Sequence, residues 1–112
     1  MIEKLRAYGA DVDSGLHRCM DNEDMYLRLV RMSIEDGNFD RLFAAMEAGD
    51  LDAGFEAAHA LKGVTGNLSL DPLFEPLSEM TELLRARTVT DYATLTAAVK
   101  EKLAELKELL AE

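Results

Sequence analysis

Apolar residues recur along this chain at spacings of three and four rather than two, so the pattern predicts helices throughout and no strand. Residues 2–8 and 12–19 read as two short helical pieces split at Gly9, with Asp11 or Asp13 placed to cap the second. From Glu23 to about Glu35, residues Met25, Tyr26, Leu29, Val30 and Met32 keep helical spacing. The pattern resumes after Gly37-Asn38 with Phe39, Leu42, Phe43 and Met46, as one interrupted helix or two in sequence broken near Gly37. Gly49 then supplies a stop and Asp50 an N-cap for a helix from about Leu51 to Leu68. Asp71-Pro72 opens the next element. Pro76 removes a backbone donor in its second turn, so regular helix is expected only from near Glu75, with Leu77, Met80, Leu83 and Leu84 as its stripe. Thr88 to Asp91 fits a capping box ahead of a long final helix carrying Tyr92, Leu95, Val99, Leu103, Leu106 and Leu110.

Short connections between long amphipathic helices favour antiparallel neighbours. The expected fold is therefore all-α, an up-and-down antiparallel four-helix bundle with additional short N-terminal helices, and residues 1–112 are expected to form a single domain.

The helix from Leu51 to Leu68 departs from a simple amphipathic pattern. Ala58, Leu61, Thr65 and Leu68, with Leu51 before them, gather on the side that should face the core. His59, Lys62, Gly63 and Gly66 fall within an arc of about 100° on a different side. Glycine inside a helix costs roughly 1 kcal/mol relative to alanine, so two on one strip need a reason. Either a neighbouring helix of the same chain packs tightly there, or a partner approaches closely.

Composition narrows the function. With 22 acidic and 12 basic residues the formal net charge is −10, which disfavours nucleic acid and anionic membrane surfaces as partners. The single cysteine, Cys19, reads as a buried, inert thiol, and one cysteine with two distant histidines, His17 and His59, assembles no metal site. No signal-peptide pattern and no apolar run of membrane-spanning length is present, so the chain reads as cytoplasmic. Neither a GxxxxGK[ST] loop nor a kinase-like Lys, Asp and Asn set occurs, which predicts no ATP binding and no autonomous kinase activity.

The string HALKGVTGNLSL, residues 59 to 70, resembles the signature of histidine-containing phosphotransfer (HPt) domains, with Lys and Gly at the third and fourth positions after the histidine and an Asn-apolar pair further on. The segments from Asp11 to Met20 and from Asp24 to Val30 also look like the lead-in helices of that family. Two residues depart from its pattern: Ser69 stands where many members have Gly, and Thr65 where a smaller residue is usual. The phospho-histidine helix of sensor-kinase dimerisation domains has an acidic residue directly after the histidine. Here that position is Ala60.

The resemblance implies the same four-helix bundle and a phosphocarrier in a two-component phosphorelay. His59 would be the phosphoacceptor, Lys62 would stabilise phosphoryl charge, and Gly63 and Gly66 would clear space for a partner. The implied partners are response-regulator receiver domains and hybrid sensor histidine kinases. The chain itself would need no cofactor, Mg²⁺ would be carried by the receiver, and a monomer is expected. The residues suit this chemistry, because an unperturbed imidazole titrates near ~6.5 and an exposed one keeps a free lone pair at cellular pH. An ammonium about one turn away can offset phosphoryl charge. Glu56, three residues before His59, could act as a base or be a solvated acid, and the second is the better reading; His17 reads as structural or surface. The alternative function is a helical adaptor that binds a receiver or other partner without taking phosphate.

Overall fold

The computed structural model describes residues 1–111, and among them there are seven helices and no strand. They are α1 (Ile2–Tyr8), α2 (Val12–Arg18), α3 (Glu23–Ser33), α4 (Asn38–Ala48), α5 (Leu51–Asn67), α6 (Asp71–Arg85) and α7 (Ala93–Leu110). The Gly9 break is real: the glycine takes φ 114°, and Asp11 caps α2 by accepting from the Ser14 N–H. The segment around Gly37 separates two helices. The Asp36 carboxylate there accepts the Asn38 N–H at 2.8 Å and starts α4 afresh.

Helices α3 and α4 together run counter to α5. The Tyr26 hydroxyl near the start of α3 donates to the Leu68 carbonyl just past the end of α5, while Met46 near the end of α4 fills the space left by Gly54 near its start. Helix α6 returns antiparallel to α5, with Phe74 against Gly66 at one end and Leu84 beside Gly54 at the other. Helix α7 closes the bundle antiparallel to α3 and α4: Arg31 donates to the Leu110 carbonyl, and Lys100 lies over the Phe43 ring. The all-α four-helix bundle read from the sequence is therefore the observed fold, with α3 and α4 sharing one of its four positions. Its interior is built from Val30, Leu42, Leu61, Leu77, Met80, Val99 and Leu106, all fully buried. Short α1 leans on α7 through the Tyr8 hydroxyl, which donates to the Lys102 carbonyl at 2.9 Å.

Two expected boundaries shift. Regular helix in α6 begins at Asp71 rather than near Glu75. The Leu70 carbonyl accepts from both Leu73 and Phe74, Pro72 sits in the first turn where its missing donor costs nothing, and Pro76 forfeits a single bond. Burial of Leu73, Leu77, Met80 and Leu84 outweighs that bond. Thr88 does not cap the last helix. Its carbonyl instead accepts the Tyr92 hydroxyl at 2.8 Å, and Asp91 accepts the Ala93 N–H at 2.9 Å, so α7 starts at Ala93 and Tyr92 lies just outside it.

Candidate functional site

Helix α5 is fixed at both ends. At its start the Asp50 side chain accepts the Ala53 N–H at 3.1 Å. At its far end Leu70 N–H returns to the Thr65 carbonyl and Ser69 N–H to the Gly66 carbonyl, the pattern of a left-handed helix cap. Ser69 is the left-handed residue, at φ 54°, a conformation that favours glycine. The departure noted in the sequence thus falls on the one position of this turn where glycine would be easiest. Arg18 of α2 offsets the strain: its guanidinium donates to the Ser69 hydroxyl at 2.9 Å and to the Gly66 and Asn67 carbonyls at 2.8 and 3.3 Å. Tyr26, buried beneath the same turn, has its phenol pushed up to about 12, chiefly by burial.

Between these ends the core side of α5 is as expected, with Ala58, Leu61 and Thr65 buried. The Thr65 hydroxyl donates to the Leu61 carbonyl at 2.8 Å, so a threonine fits there without an unpaired polar group. His59 is exposed in mid-helix and shares an open groove with Lys62, Gly63, Gly66, Phe74 and Arg18. All four residues singled out in the sequence therefore lie on one surface.

The imidazole of His59 stacks on the ring of Phe55, one turn earlier, with centroids 5.5 Å apart and planes inclined by 8°. The Arg85 guanidinium of α6 lies over the Phe55 ring, 5.0 Å from its centroid. Lys62 is only 29% exposed, and its ammonium pairs with Glu82 Oε1 at 3.7 Å; Glu82 Oε2 lies 3.6 Å from Arg85 Nε. Charge and ring are thus linked across α5 and α6 in one chain of contacts from Lys62 through Glu82, Arg85 and Phe55 to His59.

The two glycines differ. A methyl group added at Gly63 would meet nothing within 4 Å, whereas one at Gly66 would come within 3.2 Å of the Phe74 ring. Gly63 faces open space, and Gly66 accommodates a side chain of its own protein. Glu56 is exposed and lines a different groove, between α4 and α5; His17 is exposed on α2, and Cys19 is buried. Phe55, Phe74, Arg18, Glu82 and Arg85 were not singled out as site residues from the sequence. Only Phe55, four residues before His59, carried a usable spacing signal. Among the described residues no His/Cys/Asp/Glu group is arranged to hold a metal, and no helix is long and apolar enough to cross a membrane.

Compared with models of known protein families, the chain matches the Hpt domain over residues 24–109. No curated protein and no solved structure matches it. The matched stretch is well over half of the 112 residues and runs from the first turn of α3 to the last turn of α7 with the whole histidine strip, so the chain belongs to the Hpt domain family, whose members are phosphocarriers of two-component signalling rather than kinases. Arg18 and the rest of α1 and α2 lie outside the matched stretch.

Proposed function

We propose that this member of the Hpt family accepts a phosphoryl group on His59 and exchanges it with the aspartate of receiver domains, and that it neither binds ATP nor phosphorylates itself. The observation that carries the reading is the exposure of the His59 ring beside Lys62, with open space over Gly63. A neutral imidazole nitrogen uses its in-plane lone pair to form an N–P bond while the P–O bond of the receiver's acyl phosphate breaks. The electron pair leaves on the aspartate carboxylate, and the proton on the other ring nitrogen passes to water. Lys62 offsets charge on the phosphoryl oxygens, and Gly63 lets the partner's surface come close. The receiver brings the Mg²⁺ and the acidic pocket, and receivers and hybrid sensor kinases are the partners this chemistry needs.

Transfer in both directions tests the reading. The phosphorylated protein, separated from its donor, passes its label to an unphosphorylated receiver. Stable binding of a receiver without any labelled intermediate supports the adaptor reading instead.

A further inference from the structure

An imidazole lone pair lies in the ring plane, so whatever fixes that plane fixes the directions from which phosphorus can be attacked. Among the described residues nothing donates to or accepts from the His59 nitrogens, and the one defined contact of the ring is its stack on Phe55. That contact is made through a ring face, and the exposed residue lines the open groove. Without it, an exposed histidine on a helix would share its time among several rotamers.

Phe55 is itself held by its surroundings. It projects from α5 one turn before His59, it is half-buried against the core, and the Arg85 guanidinium from α6 lies over its ring, 5.0 Å from the centroid. Arg85 in turn reaches Glu82, the partner of Lys62. The histidine ring, through Phe55, and the nearby ammonium, through Glu82, are therefore both in contact with neighbouring residues of α6.

We propose that Phe55 is a positioning residue for His59, holding the imidazole plane in the orientation used for phosphoryl uptake. This rests on the phosphoacceptor reading above. The role is orientation more than charge. A bare aromatic ring would favour the cationic imidazole that exists briefly as the N–P bond forms, but here the Arg85 guanidinium already draws on the quadrupole of the same Phe55 ring. The ordinary alternative is that Phe55 only covers apolar surface, in which case its loss changes stability and leaves chemistry at the ring untouched.

Phe55→Leu and Phe55→Tyr, compared with the unmodified protein, separate the two. One readout is the chemical shift of the His59 ring protons, which the current of a parallel aromatic ring displaces. The other is the rate of labelling by phosphoramidate and by a phosphorylated receiver, each normalised to the folded fraction. Expected for Phe55→Leu are loss of the displacement and a fall of about 2- to 10-fold in rate with both donors, the factor by which an aromatic pair favours one arrangement. The KM for the receiver should hold, and Phe55→Tyr should restore shift and rate. Arg85→Gln, which releases Phe55 without removing it, should give a smaller loss of the same kind. Unchanged ring-proton shifts, or full-rate labelling of Phe55→Leu by phosphoramidate, would overturn the proposal; so would a loss seen only with the receiver as a raised KM, which is a docking effect. An unmodified protein that takes no label at all is a different outcome and removes the phosphocarrier reading itself.

Discussion

Lys62 and Glu82 face one another from α5 and α6 at 3.7 Å, so the ammonium beside His59 is already directed at a carboxylate of its own chain. An incoming phosphoryl group competes with Glu82 for that charge. Lys62→Ala should slow transfer about 10-fold, the effect of removing one half-solvated charge contact of about 1–2 kcal/mol. Glu82→Gln should leave transfer unchanged or speed it up to about 5-fold, because an exposed pair holds its partner by only about 0.2–1 kcal/mol. Single-turnover transfer from a phosphorylated receiver measures both. A Glu82→Gln protein slower than the parent would show that the pairing assists the chemistry.

The glycines part company in a stability assay. Gly63→Gln should stabilise the fold by up to about 1 kcal/mol, since the helix is relieved of a glycine and the new side chain enters open space. Gly66→Gln should instead lose about 1 kcal/mol, because crowding of the Phe74 ring outweighs the gain in helix propensity. Urea unfolding decides the signs. Transfer from a receiver should fall in Gly63→Gln while labelling by phosphoramidate holds; equal rates with both donors would remove the clearance role of Gly63.

Helical periodicity carries through to the structure because each buried stripe is a local pattern. The Gly9 break and the Asp50 cap were likewise legible, and Asp11 was one of two candidates for its cap, since each depends on residues two to four positions apart. The two shifted boundaries show where local signals lose. At Pro76 a four-residue apolar stripe overrides one missing bond, and ahead of α7 the Asp91 carboxylate takes the Ala93 N–H, so the helix begins at Ala93, too far along the chain for the Thr88 hydroxyl to cap it. The strip of His59, Lys62, Gly63 and Gly66 was visible as a strip, but its surroundings were not. Glu82, Arg85, Phe74 and Arg18 reach it from α6 and α2, and no spacing within α5 announces a residue on another helix.

Arg18 and Ser69 should couple. Ser69→Gly alone relieves a left-handed serine, worth about 1–2 kcal/mol, and loses one hydrogen bond of about 1 kcal/mol, so the net change should be small. Arg18→Ala should cost about 1–2 kcal/mol by stripping partners from the end of α5. In the Arg18→Ala background the bond is already gone, and Ser69→Gly should become clearly stabilising. A double-mutant cycle in urea checks this, and strict additivity would contradict the coupling.

Alkaline stability should depend on Tyr26. Its phenol is raised from an ordinary value of 10.0 to about 12, so below pH ~10 it is protonated whether the chain is folded or not and adds no pH dependence. Between about 10 and about 12 the unfolded chain releases the proton while the folded one retains it, and stability falls with rising pH. Tyr26→Phe should cost about 1–2 kcal/mol at neutral pH by leaving the Leu68 carbonyl without its donor, and should flatten this alkaline limb. The limb that remains belongs partly to Tyr8, whose phenol is also pushed up by burial. Urea midpoints followed from neutral to alkaline pH show whether the slopes differ; identical slopes would mean that Tyr26 titrates alike in both states.

The central claim is that His59 alone takes the phosphoryl group. The direct measurement is labelling by a phosphorylated receiver of the unmodified protein, His59→Gln and His17→Gln, followed by acid and alkali treatment of the labelled chains. The account predicts acid-labile, alkali-stable label on the unmodified protein and on His17→Gln, and none on His59→Gln, whose exposed position leaves the fold intact. Label that survives in His59→Gln, or that resists acid and is lost in alkali, would contradict it.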